Sequence, residues 1–401
     1  MMNLLFSCGD NGSKPPPSVP EGKYSKGSYG YDLSFLKMHL PDCFELKDPS
    51  GKSAILLSPD NQGRVMTSTV SGDSGSSQGW INYDLIASQK KKSQFNPVGG
   101  EERFWLGPEG GQFALFFKKG DSFNISHWQV PPEIDTVPYH LVSTDGSSAV
   151  FSREAEFSNY SGTRFKLLIT RSIRLIDQST LQQNFHLEIP AELSVVAYQS
   201  DNQIKNTGSS QWTKEKGLIS IWLLGQMVPT AQTFVFIPFR PAPDAARYIT
   251  DDYFGKIPQD RLRVKDSVLF FRCDGKQRGK IGISPQLAGS MAASFDFEKN
   301  VLTVLSYPVE KDGLYVNSKW EMQKEPFKGD VVNSYNDGPL ADGSQLGPFY
   351  EIESSSSAKE LKPGESQGYK QTTCHFQGNY QSLRKLAKQL LGVDLEDLKK
   401  M

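Results

Sequence analysis

The densest run of reactive side chains lies between Asn96 and Gly111. There Glu101-Glu102-Arg103-Phe104-Trp105 stands between the pairs Gly99-Gly100 and Gly110-Gly111, with Glu109 close behind. Three carboxylates, a guanidinium and an indole in one stretch suit a polyol. An indole face stacks on the C–H face of a sugar ring, carboxylates accept from its hydroxyls, and Arg donates to them. Glycine pairs let the backbone turn sharply and approach a ligand closely. The spacing is not that of a phosphate loop, which would be followed by Gly-Lys-Ser/Thr. The plainer alternative is a Gly/Pro-rich β-turn carrying a Glu–Arg surface pair.

A second run, Gly347-Pro348-Phe349-Tyr350-Glu351-Ile352-Glu353-Ser354, reads as a strand with Glu351 and Glu353 on one face. Adjacent like charges raise the pKa of one of them, a usual way to poise an acid/base; the alternative is the solvated side of an edge strand. From Trp320 to Gly338, Asp330, Asn333, Tyr335, Asn336 and Asp337 supply amides, carboxylates and an aromatic suited to polyols, although turns use the same residues. Asn202–Trp212, with Asn202 and Asn206, is a weaker version of that signal, as is Thr250–Lys256. Asp251-Asp252 lacks the D-x-D-x-D-G pattern of a calcium loop. The five histidines are scattered without H-E-x-x-H spacing, no G-x-S-x-G elbow occurs, and the four cysteines show no C-x-x-C. No metal and no cofactor is expected.

The elements that must position these residues are strands. From Ser53 to Phe376, period-2 and short apolar runs dominate, separated by Asp-Gly, Asn-Asp-Gly and Pro-Gly turns. In Phe165–Leu175 the residues Phe165, Leu167, Ile169, Ile173 and Leu175 share one face; Arg171 interrupts it, and is either paired there or at an edge. Phe113–Lys118, Gly217–Leu224, Met291–Asp296, Tyr350–Ser354 and Gln367–Gln377 are among the other expected strands. Without strand–helix alternation or a fixed repeat, the fold class is all-β, a large antiparallel sandwich. Tyr380–Leu391 is the exception. Leu383, Leu386, Ala387, Leu390 and Leu391 fall on one helical face, Asn379 is the expected N-cap and Gly392 the stop.

Composition narrows the class. The 401 residues carry 44 Lys+Arg against 45 Asp+Glu, a formal net charge of −1, which argues against a nucleic-acid partner. With 37% hydrophobic and 22% charged residues the chain can bury a core, and no apolar stretch approaches the ~18 residues of a membrane span. Leu5-Phe6-Ser7-Cys8 resembles a lipobox, and Gly9–Pro20 reads as a Gly/Ser/Pro/Asn tether. The apolar stretch is short and has no basic n-region. The expectation is a lipid anchor at Cys8, the only membrane contact, holding the protein on the periplasmic side of a bacterial membrane. The chain then divides into 1–28 (lipobox and tether), 29–378 (β body) and 379–401 (C-terminal helical segment).

Taken together, Gly99-Gly100-Glu101-Glu102-Arg103-Phe104-Trp105 with Pro108-Glu109, Phe349 through Ser356, and Leu361-Lys362-Pro363-Gly364-Glu365 resemble the galactose mutarotase-like (aldose 1-epimerase-like) superfamily, over roughly Tyr29 to Phe376. The resemblance implies an antiparallel β supersandwich whose concave face binds a mono- or oligosaccharide. It puts Glu353 where aldose 1-epimerases keep their general base. Asn202 and Asn206-Thr207-Gly208 fall near the segment that supplies those enzymes' histidine acid, and Val98 stands where they have a second histidine; neither place holds histidine here. Mutarotation needs a base for the anomeric hydroxyl and an acid for the ring oxygen. Glu102, kept protonated, is then the candidate acid, and Arg103 an anchor. The implied substrate-binding set is Arg103, Trp105, Glu109, Asn202, Asn206, Asn333, Asn336, Asp337 and Glu351. Two other readings stand beside epimerisation: a non-catalytic glycan-binding protein, and a glycoside-cleaving enzyme with a Glu102/Glu353 carboxylate pair.

Overall fold

The computed structural model describes residues 23–340 and 342–401; the lipobox and Cys8 lie outside them. Among the described residues the strands form three antiparallel sheets, of three, ten and six strands. The six-stranded sheet runs Ile249–Thr250, Gly279–Ile283, Val332–Asn336, Tyr350–Ser355, Ser220–Met227, Arg103–Gly107 in spatial order. The ten-stranded sheet is built around three long neighbours, Arg164–Leu175, Ser194–Asn206 and Ser366–Gln377.

These two sheets face each other. Phe151, Ile169 and Ile204 from the ten strands pack with Phe104, Ile221 and Ile352 from the six into one continuous core. Arg171 is not at an edge. It points inward with the apolar residues of its strand and pairs with Glu102 at 2.8 Å, both side chains fully buried. Gln371 donates to the other Glu102 oxygen at 3.0 Å. Removing two charges from water is costly, and the pairing and hydrogen bonding make it tolerable.

The outer face of the ten-stranded sheet is covered by the helix Tyr380–Leu391 and the following turn, which insert Leu383, Leu386, Leu391, Leu395 and Leu398 against Phe236, Phe295 and Phe376. Each fully buried leucine contributes about 1.5–3 kcal/mol. Asn379 caps this helix by accepting from the Ser382 N–H at 3.0 Å, and Gly392 ends it at φ +71°, a conformation that glycine adopts without Cβ strain. The three-stranded sheet carries a second helix, Tyr29–His39, packed through Phe35 and Leu36 on Leu56 and Met66.

Two local expectations differ from the structure. Phe113–Lys118 is irregular, not a strand: Phe116 and Phe117 are buried by aromatic packing against Trp128 and Trp320, and a short apolar run reports burial without reporting period. Arg103–Gly107, read as a turn, is an edge strand of the six-stranded sheet.

Candidate functional site

Side chains alternate between the faces of a strand, so parity decides what meets on the free face of the six-stranded sheet. Phe104, Leu106, Ile221, Leu223 and Ile352 go into the sandwich. Their neighbours go the other way. One row across the sheet aligns Gln226, Glu351, Tyr335 and Lys280; the next aligns Arg103, Leu224, Glu353 and Asn333. Above these rows the segments around Phe95, Trp128, Trp320, Asp337 and Leu346 build walls, enclosing a cavity of about 620 Å³. That lies within the ~300–1,000 Å³ range of small-molecule sites.

The floor carries two ion pairs. Arg103 Nη2 lies 3.1 Å from Glu351 Oε1, and the guanidinium covers the Trp105 ring at 4.0 Å. Lys280 Nζ lies 2.8 Å from Glu353 Oε2, which also accepts from Trp222 Nε1 at 2.9 Å. The Lys280 ammonium stands 4.9 Å over the Trp222 ring. On the wall Glu109 Oε1 accepts from Trp128 Nε1 at 2.9 Å, and Asp337 accepts from the Tyr335 hydroxyl at 2.5 Å and the Gly347 N–H at 3.0 Å.

Burial raises the Glu351 carboxyl to about 7; Arg103 opposes the rise, and the Glu353 charge on the same face adds to it. Glu109 is also raised, first by burial and further by Glu353, while Lys280 pulls it down. Burial would lower Lys280, but Glu353 and Glu109 outweigh that and hold the ammonium above its ordinary value. The cavity thus combines indoles, fixed cations and two carboxyls that burial pushes above the ordinary carboxylate range. Such a set can stack a ring, donate to and accept from hydroxyls, and exchange a proton near neutral pH.

Of the residues expected from the sequence, Arg103, Trp105, Glu109, Asp337 and Glu351 line the cavity together. Glu353 shares the Glu351 face but is fully buried, lying beside Lys280 and Trp222 without itself lining the cavity. Glu102 does not join them. It precedes Arg103 and so points through the sheet into the core, where Arg171 holds it. A Glu102/Glu353 pair therefore cannot flank one substrate, which removes the geometric basis for a glycosidase of that design.

None of the expected asparagines lines the cavity. Asn202 belongs to the ten-stranded sheet and donates to Ser200 Oγ and the Tyr369 carbonyl; Asn206 donates to the Ser210 and Leu361 carbonyls. Asn336 is on the sandwich side, bonded to Gly275 and Gln277, and Asn333 spends its amide on the Ile281 carbonyl. Trp105 reaches the cavity, but Arg103 already occupies one face of its ring. Sequence reasoning missed Trp128, Trp222, Gln226, Arg278 and Lys280, all of which line the cavity. Lys280 left a signal, a single charge inside the strand Gly279–Ile283. Trp222 left none, because its strand is buried on both faces.

Residues 27–401 match a family described as a family of unknown function (DUF6786). No curated protein matches the chain. Among solved structures, the chain is similar to a candidate aldose 1-epimerase from Escherichia coli K12, at 9% identity and TM-score 0.48, covering 84% of this chain and 99% of that one. It is also similar to the Slr1438 protein from Synechocystis sp. (12%, TM-score 0.49, 84% and 96%). A galactose mutarotase-like protein from Lactobacillus casei gives 9% and 0.46, with 83% and 99% covered. These likenesses concern the course of the chain and extend to no activity.

Proposed function

We propose that the chain, which belongs to the DUF6786 family, binds a mono- or oligosaccharide in the cavity on its six-stranded sheet and exchanges a proton with it through Glu351. The observation that supports this most is the convergence of Arg103, Glu351 and Lys280 with the indoles of Trp128, Trp222 and Trp320 around one cavity. Indoles bind the apolar face of a pyranose, while the charged groups address its hydroxyls.

For mutarotation, a carboxylate removes the anomeric proton and an acid protonates the ring oxygen; reversing both after rotation closes the other anomer. Glu351 suits the first role, since it lines the cavity and titrates near neutrality. Glu109, raised and held by Trp128, suits the second. Glu353, the base implied by family resemblance, becomes the fixed charge that neutralises Lys280 and lifts Glu351. A second reading, binding without turnover, is favoured by one observation: among the described residues no histidine lines the cavity.

Anomeric exchange followed by NMR across a panel of pyranoses separates them. Exchange that falls by roughly 10²–10⁴-fold in Glu351→Gln supports the proton-transfer role. Exchange that survives in Glu351→Gln but is lost in Glu353→Gln returns the base to Glu353. Binding with no exchange leaves a glycan-binding protein. A lipid anchor at Cys8 on the periplasmic side is part of the proposal and rests on Leu5-Phe6-Ser7-Cys8 and the tether. Release from membranes on Cys8→Ala is its test.

A further inference from the structure

Eight large apolar side chains are exposed among the described residues, and four of them, Ile125, Phe254, Leu340 and Leu346, line this one cavity. They come from three separate loops, so the grouping is not a product of one apolar sequence run. Ile125 is 59% exposed and Leu346 45%. Exposed apolar groups scattered singly need no explanation; a set gathered at a cavity mouth with polar neighbours marks a binding surface. The ring is continuous with the aromatic wall made by Phe95, Trp128 and Phe349, so an occupant of the floor and an occupant of the rim can be one molecule. The cavity volume, about 620 Å³, is more than one pyranose requires.

We propose that the ligand is a glycoside with an apolar aglycone, an alkyl, acyl or aryl group, whose sugar sits over Arg103, Glu351 and Lys280 and whose apolar part contacts the rim. This rests on the saccharide reading above and specifies its substrate class. The charged floor cannot pair with a hydrocarbon, whereas the apolar side chains of the rim can bury one, so the gradient from floor to mouth sets the orientation. Arg278 lies 3.8 Å over Phe254 and covers one face of that ring.

The test is titration calorimetry with methyl, butyl and hexyl β-D-glucopyranosides and β-D-galactopyranosides, with the phenyl glycosides as the aryl arm. Affinity should rise by up to about fourfold for each methylene that the rim buries, and the double variant Ile125→Ser/Leu346→Ser should flatten that rise. Val142→Ser, a change at an exposed apolar residue outside the cavity, should leave the series as it is. Methyl and hexyl glycosides binding equally would overturn the inference and leave the saccharide reading standing. No binding by any member, methyl glycosides included, would overturn both. A dimer in sedimentation that Leu346→Ser dissociates would overturn it in favour of a second copy of the chain as the rim's occupant.

Discussion

Replacing Glu351 by glutamine should change how stability depends on pH. The carboxyl stands at about 7 in the fold against 4.5 for the ordinary group, because burial and the neighbouring Glu353 charge outweigh Arg103. Below pH 4.5 both folded and unfolded chains hold the proton. Between there and about 7 only the folded chain holds it, so stability falls as pH rises and levels off above. The separation of the two values, at ~1.4 kcal/mol per pH unit, gives a loss of about 3 kcal/mol across that window. Glutamine has no such proton. The variant will carry a constant offset, since an amide stands where the protonated carboxyl did beside Arg103 on the cavity floor. That offset shifts the curve without giving it this slope. Urea unfolding at half-unit steps from pH 4.5 to 8.5 reads the difference directly: the stability of Glu351→Gln minus that of the wild type should climb by about 3 kcal/mol. Other buried carboxyls, such as Asp32 and Asp330, titrate in both proteins and cancel. Parallel curves would refute the account of Glu351 as a carboxyl held protonated by its surroundings.

Two predictions concern the scaffold. Arg171→Met should cost about 3–5 kcal/mol in urea unfolding by stranding Glu102 in the core, and adding Glu102→Leu should recover most of it; a single variant within 1 kcal/mol of wild type would contradict the buried pair. Leu386→Ala, which empties part of the layer between the C-terminal helix and the ten-stranded sheet, should cost about 2–5 kcal/mol by the same assay, whereas an unchanged midpoint would mean that the helix is not docked.

How much was legible depended on whether a residue's environment wrote itself into its neighbours. Phe165–Leu175 alternates because one face is buried and the other is wet, so even the inward Arg171 could be picked out. Tyr380–Leu391 shows its stripe, its cap and its glycine stop in sequence. Arg103–Gly107 did not, because both faces are buried, one in the sandwich and one under the cavity wall; no polarity alternation survives, and the glycines around it suggest a turn. The same cause hid Trp222 and blurred Glu102 into the site. Composition placed Glu102 and Arg103 together, but a one-residue step in a strand sends them to opposite sides of the sheet. Asn202 and Asn206 drew attention for their density; their amides satisfy carbonyls within the ten-stranded sheet and in the segment beside its end, a use that no spacing rule separates from sugar binding. Glu351 and Glu353 were placed correctly on one face. Which of them reaches the cavity was set by Lys280 and Trp222, from strands far away in sequence.

A sugar is expected to occupy the floor of this cavity. A crystal structure of the protein soaked with a panel of pyranosides tests it most directly. The expected result is a pyranose ring over Arg103 and Glu351, its hydroxyls within hydrogen-bond distance of Glu351, Gln226 or Lys280 and its C–H face against an indole. A sugar bound at another surface with the cavity vacant, or no sugar bound from the whole panel, would contradict it.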